Sequence, residues 1–181
     1  MKMLSFKNSP IEDIYIVNIK PFNDIRGEFS RFFCEKEFKK IGLNKKIVNV
    51  NYSKTLNKGD VRGMHYQEPP YSEIKIIKCI NGIIYDVAID MRENSQTYLN
   101  YFGIELSEDS NTMLYVPEGF AHGYQALTDN AEIVYFNTQF YSPDHEKGVN
   151  ILDPMIDIKW PISIGNQSDK DKNIKFINSN K

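Results

Sequence analysis

The spacing of the apolar residues restricts the fold of this chain most strongly, because they recur at every second position in a series of short segments. A period of two is typical of β-strands that bury one face, whereas a helix repeats every 3.6 residues. Turn-favouring Gly, Pro, Asn and Asp residues separate the segments. The predicted strands are Ile14–Ile19, a strand holding Phe29, Phe32 and Phe33, Lys46–Asn51, Val61–His65, Ile74–Ile80, Ile83–Asp90, Tyr101–Leu106, Met113–Val116, Gly123–Leu127 and Ile133–Phe140.

The turns and the few helical segments point to an all-β sandwich or barrel. Asn81-Gly82 separates two β-rich segments and predicts a hairpin, since Asn-Gly favours the tight turn between paired antiparallel strands. One short helix is expected over Glu35–Ile41, ended by Gly42. After Pro143 the alternation fades, which leaves a short helix, an ordered arm and a disordered tail as alternatives for the C-terminal stretch. Many short strands with few helices are typical of sandwiches and barrels.

The composition predicts one folded domain over residues 1–181. Of these residues 41% are hydrophobic and 25% are charged, and the formal net charge is −2, which argues against disorder and against a nucleic-acid-binding surface. Cys34 and Cys79 match no zinc spacing and are expected to be reduced thiols. The first ten residues lack an apolar stretch of signal-peptide length, and no segment approaches the roughly 18 apolar residues of a membrane span. A cytoplasmic location without membrane contact is therefore expected.

The segment Arg62–Gln67, followed by Lys75, is the first concentration of side chains that carry chemistry. Because neighbouring side chains of a strand alternate between faces, Arg62 and His65 are expected on opposite faces. Lys75 follows on the next strand in phase with Glu73. A histidine, a lysine and a carboxylate inside a barrel are costly unless they are paired or used. For His65 alone, a hydrogen-bonded core histidine is the simpler interpretation.

Two further clusters carry polar side chains on predicted strands. Pro and Gly in the segment Val116–Gly123 shape a turn into a strand that presents His122, in a Pro-x-Gly-x-x-His pattern. Tyr135 and Tyr141 are six residues apart, so one regular strand would point both to the same face. A phenol is a plausible general acid when its surroundings shift its pKa, although tyrosine is also a common core residue.

Taken in order along the chain, these motifs resemble the dTDP-4-dehydrorhamnose 3,5-epimerase family. The resemblance implies a cupin-type jelly-roll β-barrel or sandwich with few short helices. It also implies a homodimer with the N-terminal strands, about residues 1–45, at the interface, and a C-terminal segment, about 146–181, that packs as an arm. The matching motifs are Asp24-x-Arg26-Gly27-x-Phe29, Asn51-x-Ser53, Arg62-Gly63-Met64-His65-Tyr66-Gln67, Lys75, Asp86-Val87-Ala88-Ile89-Asp90-x-Arg92, Pro117-x-Gly119-Phe120-Ala121-His122-Gly123, Tyr135, Tyr141-Ser142-Pro143 and Ser168-x-Lys170-Asp171.

The resemblance implies epimerisation of a nucleotide-linked 4-keto-6-deoxyhexose at C3, C5 or both, with no metal and no cofactor. It places His65 as the base, Asp171 as the carboxylate that orients it, and Lys75 as the group that stabilises the enolate. Tyr135 would return the proton to the opposite face of the sugar ring. A neutral imidazole suits this task, because its ordinary pKa lies near neutral pH. The substrate-binding residues that the resemblance implies are Arg26, Phe29, Asn49, Asn51, Arg62, Glu73, His122 and Tyr141.

Four positions depart from the family pattern. Arg31 stands where Glu is common, Asn49 where Gln is common, and Tyr52 where His is common. Glu73 stands where Gln is frequent. The first three lie near the positions at which members contact the nucleotide and pyrophosphate. The dTDP group is therefore expected from the resemblance alone. A substrate with another nucleotide or another 4-keto sugar remains an alternative.

Three other functions stay open from the sequence. A metal-dependent cupin would use His65, Glu73 and His122 as ligands, although Gln67 replaces the second histidine of the usual His-x-His pair. A non-catalytic sugar-nucleotide-binding barrel would share the fold but would not need the four expected catalytic residues. A sugar-nucleotide 3,4-ketoisomerase starts from the same kind of ketone and moves the carbonyl group.

Overall fold

The structure is a computed structural model that describes residues 2–177. Its helices are α1 (Glu35–Phe38), which continues as a 3₁₀ turn (Lys39–Ile41), a second 3₁₀ turn (Pro143–His145) and α2 (Asp169–Lys172). None of these described helices is long or apolar enough to cross a membrane. The strands are β1 (Leu4–Asn8), β2 (Tyr15–Ile19), β3 (Phe22–Asp24), β4 (Gly27–Phe29), β5 (Asn49–Thr55), β6 (Val61–Gln67), β7 (Lys75–Asn81), β8 (Ile83–Asp90), β9 (Tyr101–Ser107), β10 (Thr112–Val116), β11 (Phe120–Ala126), β12 (Ala131–Asn137) and β13 (Glu146–Gly148).

Most of these strands form two antiparallel sheets. The first sheet has six strands in the order β1-β2-β10-β7-β12-β5, and the second has five in the order β13-β6-β11-β8-β9. Apolar side chains from both sheets meet in one buried core, with Ile77 and Ile133 from the first sheet and Ile84 and Leu106 from the second. The pair β3–β4 forms a separate hairpin. The predicted all-β jelly-roll class is confirmed.

Each sheet is also covered on its outer face. Phe38 of α1 packs with Ile76 and Tyr115 over the six-stranded sheet. The chain after β13 packs Val149 and other apolar side chains against Val87 on the five-stranded sheet. That packing brings α2 back into contact with β6. The C-terminal cover therefore places α2 beside the five-stranded sheet.

The hairpin predicted at Asn81-Gly82 is wrong, because β7 and β8 do not pair. β7 lies between β10 and β12, whereas β8 lies between β11 and β9 in the other sheet. Gly82 has a φ of +74°, and the Asn81 side chain donates a hydrogen bond to the carbonyl of Asn130. A corner between two sheets needs a residue that tolerates positive φ as much as a hairpin does. The dipeptide therefore marks the crossing between the sheets.

The predicted strand around Phe29, Phe32 and Phe33 is only partly correct. β4 ends at Phe29, and the next residues have no regular structure. Phe32 and Phe33 both pack into the cluster around Phe38, with the rings of Phe33 and Phe38 5.3 Å apart. Adjacent residues of a strand point to opposite faces, so two neighbouring rings in one cluster require an irregular backbone.

The remaining predicted strands and the helix are confirmed within small shifts of their ends. β5 begins at Asn49 instead of Lys46, and β12 ends at Asn137 instead of Phe140. The predicted helix is formed by α1 and its 3₁₀ extension, and Gly42 ends it with a φ of +86°.

Candidate active site

Two adjoining cavities lie between the sheets, with volumes of about 540 and 360 Å³. His65 from the five-stranded sheet and Lys75 and Tyr135 from the six-stranded sheet line both. The structure thus brings together most of the site residues predicted from the sequence. The larger cavity also has Arg62, His122 and Asp171, and the smaller one has Asn49, Asn51, Glu73 and Tyr141.

His65 lies between two carboxylates. Its Nε2 is 2.6 Å from Oδ1 of Asp171, and its Nδ1 is 3.9 Å from Oε1 of Glu146. Asp171 is buried in α2, where its backbone N–H donates to the side chain of the N-cap residue Ser168. A carboxylate that accepts from Nε2–H leaves Nδ1 as the basic nitrogen of the neutral ring. The geometry therefore gives His65 an oriented base nitrogen.

The prediction that Arg62 and His65 face opposite ways is wrong, because β6 is irregular between them. Arg62 pairs with Tyr124 and His65 with His122, and the register shifts between these two pairs. The shift centres on Gly63, whose φ is +104° and where a Cβ would lie 2.6 Å from the carbonyl of His122. Such an irregularity changes the phase of a strand. Arg62 and His65 consequently line the same cavity.

His122 forms a second histidine–carboxylate pair beside the first. Its Nε2 lies 2.7 Å from Oδ1 of Asp86, and both side chains are buried. The second oxygen of Asp86 has no hydrogen-bond partner within residues 2–177. Sequence reasoning assigned no role to Asp86. The available signal was a charged residue inside the apolar segment Ile83–Asp90, which is costly when buried without a partner.

Lys75 and Tyr135 face the cavities from neighbouring strands of the six-stranded sheet. The Lys75 ammonium lies 3.1 Å from Oε1 of Glu73 and donates to the carbonyl of His65 at 3.4 Å. Burial raises the pKa of Tyr135, the charge of Glu73 raises it further, and Arg62 acts in the opposite direction. A raised pKa keeps the phenol protonated, which is the form that a general acid needs.

Tyr141 reaches the smaller cavity from beyond the end of β12, so it lines the same cavity as Tyr135 without sharing one regular strand with it. Its hydroxyl donates to Oε2 of Glu146 at 2.8 Å, and this hydrogen bond raises the pKa of Tyr141. Burial acts to raise the pKa of Glu146, but hydrogen bonds from Lys170 and Tyr141 lower it overall. Sequence reasoning missed Glu146, because its segment lacks a strand pattern.

Arg26 and Phe29 are not brought to the site of this chain. They lie on the β3–β4 hairpin, and neither lines the two cavities formed by the described residues. Arg26 is exposed and pairs with Asp24, and Phe29 is 57% exposed. These two predicted substrate-binding residues are therefore separated from the others within one chain.

The ligand set of the metal-dependent alternative is not assembled. In the described part of the chain, no group of three or more His, Cys, Asp or Glu side chains converges on one point. Nε2 of His65 and Nε2 of His122 each face their own carboxylate, while Glu73 pairs with Lys75. The three residues of that alternative therefore have separate partners.

A jelly roll with histidine–carboxylate pairs, a lysine and a partly buried tyrosine around its cavity defines a cupin-type enzyme with side chains suited to acid–base chemistry. Comparison with known proteins then identifies the family. The sequence model of the dTDP-4-dehydrorhamnose 3,5-epimerase family matches residues 8–179, and this chain belongs to that family.

Relatives and solved structures of similar length support the assignment. A dTDP-4-dehydrorhamnose 3,5-epimerase from Shigella flexneri is 41% identical, over 93% of this chain and 94% of the relative. The Bacillus anthracis enzyme, solved with TDP and PPi bound, has a TM-score of 0.92 and 32% identity, covering 96% of this chain and 99% of its own. The Legionella pneumophila enzyme, solved in complex with dTDP-4-keto-L-rhamnose, has a TM-score of 0.90 and 32% identity, covering 96% and 92%.

Proposed function

We propose that this protein epimerises a nucleotide-linked 4-keto-6-deoxyhexose at C3, C5 or both, with dTDP-4-dehydro-6-deoxyglucose as the default substrate. Its membership of the family supports this proposal, as do the dTDP-4-keto-L-rhamnose and the TDP bound in two similar structures. The observation that carries the proposal is the 2.6 Å contact between His65 and Asp171 at a cavity that Tyr135 also lines.

His65 is the base of the proposed reaction. A C–H bond next to the keto group is acidic because its electron pair moves into a new C=C bond while the carbonyl electrons move onto O4. Nδ1 of His65 accepts the proton, and the carboxylate of Asp171 stabilises the imidazolium that forms. The Lys75 ammonium stabilises the negative charge on the enolate oxygen.

Tyr135 is the acid that completes the inversion. Its phenol donates a proton to the opposite face of the same carbon, and the enolate electrons re-form the ketone. The position supports this role, because His65 and Tyr135 reach the cavity from different sheets. The phenolate left behind regains a proton, and the imidazolium loses one, through solvent, which returns the enzyme to its starting state.

Five of the remaining predicted residues hold the substrate. Arg62 is proposed to bind the pyrophosphate, since a guanidinium can contact two oxygens at once. Its side chain is already held in the cavity wall by a hydrogen bond to Thr55 at 2.9 Å. His122 is proposed to contact the sugar, and Asn49, Asn51 and Tyr141 are proposed to contact the rest of the sugar nucleotide from the smaller cavity.

We further propose a cytoplasmic homodimer of single-domain chains, in which residues 1–45 contribute to the interface and residues 146–181 form an arm. Residue 1 and residues 178–181 of these two ranges lie outside the described residues. The β3–β4 hairpin supports the interface proposal, because Phe22, Ile25 and Phe29 all expose large apolar side chains there. In such a dimer Arg26 and Phe29 serve the cavity of the partner subunit. The free thiols of Cys34 and Cys79 support the cytoplasmic location.

Incubation with dTDP-4-keto-6-deoxyglucose in deuterated water, followed by NMR, tests the proposed function. We expect deuterium at C3, C5 or both, together with the inverted product. Migration of the carbonyl to C3 would indicate a 3,4-ketoisomerase. Absence of both deuterium uptake and conversion, with that sugar nucleotide and with others, would contradict the proposal.

A further inference from the structure

The Lys75 ammonium contacts two oxygens of the protein. Its Nζ forms an ion pair with Oε1 of Glu73, 3.1 Å away, and donates a hydrogen bond to the backbone carbonyl of His65 at 3.4 Å. An ammonium group has three donors, and the described residues offer Nζ no third acceptor. Because Lys75 lines both cavities, the third N–H remains for a ligand oxygen.

Glu73 is itself fixed from the other side. Its Oε2 accepts a hydrogen bond from the side-chain amide of Asn137, and the Oδ1 of Asn137 accepts one from Asn51 at 3.5 Å. The side chains of Glu73 and Lys75 are only 10% and 12% exposed. A pair that is this shielded from water and held by further hydrogen bonds keeps one geometry, unlike an exposed ion pair.

We propose that Glu73 is a positioning residue that aims the Lys75 ammonium at the oxygen on which charge develops during the reaction. Glu73 does this through an ordered series of contacts, from Asn51 through Asn137 to the carboxylate and on to the ammonium. Both of its oxygens are engaged within the protein, so it is the third N–H of Lys75 that meets the substrate. This inference rests on the proposed function for the identity of that oxygen.

The position of Glu73 gives the inference its specificity. A glutamine at this position keeps one oxygen for the Lys75 ammonium, provided that the Asn137 amide turns over to accept from the new NH2 group. Glu73→Gln should therefore retain positioning, whereas Glu73→Ala removes the acceptor. We expect Glu73→Ala to lower kcat for deuterium exchange about tenfold, with KM changed less than about twofold. Glu73→Gln should restore kcat at neutral pH to within about threefold of the parent.

The mobility of the Lys75 ammonium can be measured without an activity assay. The ¹⁵N NMR signal of the Lys75 ammonium, assigned by its loss in Lys75→Arg, should have a high order parameter in the parent and in Glu73→Gln. In Glu73→Ala the order parameter should fall. Glu35→Ala is the control, since it removes the carboxylate paired with Lys39 at 2.6 Å on the surface of α1 and should leave the Lys75 signal and kcat unchanged.

The outcomes separate this inference from the proposed function. An ordered ammonium in Glu73→Ala, or a kcat equal to that of the parent, overturns the positioning role. A rise in KM with unchanged kcat also overturns it and makes Glu73 a substrate-binding residue. A parent without exchange activity defeats the proposed function, while the order parameter still decides whether Glu73 fixes Lys75. Thermal unfolding of each variant shows whether the protein remains folded.

Discussion

Nε2 of His65 lies 2.6 Å from Oδ1 of Asp171, although 106 positions separate the two residues along the chain. The contact exists because the chain after β13 packs on the outer face of the five-stranded sheet and returns α2 to β6. Asp171 is buried and its helix is capped by Ser168. A residue in the polar C-terminal stretch is thereby held against the candidate base.

Replacing the base should abolish exchange while the fold survives. His65 is 29% exposed at the cavity, so His65→Asn leaves the apolar core between the sheets unchanged. We expect deuterium exchange at the sugar carbons to fall by about 10²- to 10⁴-fold, the usual loss for a general base. Proton NMR measures the exchange and circular dichroism checks the fold. Exchange at the parental rate in a folded His65→Asn would eliminate His65 as the base.

Asp171→Asn should cause a smaller loss, of about 10- to 100-fold, because the imidazole remains while its orienting charge is removed. The same exchange assay measures it. Asp169→Asn is a matched control, since Asp169 lies on the same helix with a 98% exposed side chain. An effect of the control as large as that of Asp171→Asn would indicate a general disturbance of α2 instead of a role at His65.

The alkaline limb of the pH profile should report Tyr135. This residue donates a proton only while it is protonated, and burial and then Glu73 raise its pKa, with Tyr124 adding to the rise and Arg62 opposing it. Activity that depends on Tyr135 is therefore kept to higher pH than an ordinary phenol would allow. Glu73→Gln removes one cause of the raised pKa, so its alkaline limb should move to lower pH. A limb that stays in place or moves to higher pH would contradict this role.

Mixing two inactive chains tests whether the hairpin serves the partner subunit. Arg26→Ala and His65→Asn should each lose activity as separate homodimers. In a mixed dimer one site combines His65 of one chain with Arg26 of the other, so coexpression should recover about a quarter of the parental activity. Sedimentation gives the oligomeric state. No recovery in a confirmed mixed dimer would mean that Arg26 does not act across the interface.

The sequence was sufficient for most of the strands, because alternation of apolar residues depends only on one face being buried. The short strands β1, β3 and β13 were not predicted. Which strands pair with each other was less predictable than where the strands lie. Asn81-Gly82 suits a hairpin or a corner equally well, and only the packing of two sheets decides between them. The prediction for Arg62 failed in a related way, since the irregularity at Gly63 depends on the close approach of β11.

The same limit applies to the site residues: those in sequence motifs were predicted, and those brought in by packing were not. His65, Lys75, Tyr135 and Asp171 were identified because they stand in ordered motifs, and the structure places all four at adjoining cavities. Two of the residues that contact and fix this group were missed. Glu146 and Asn137 act through side chains that meet only after the sheets and the C-terminal segment pack, so local sequence contains no signal for them.

Tyr135→Phe gives the most direct test of the central claim that one residue removes the proton and another returns it to the opposite face. In this variant His65 and Lys75 remain, so the enolate still forms and His65 returns a proton to the original face. The measurement is the ratio of deuterium incorporated to epimer formed, by NMR, beside the parent and His65→Asn. The account predicts incorporation with little or no inversion in Tyr135→Phe and neither in His65→Asn. A normal epimer yield from Tyr135→Phe would contradict it.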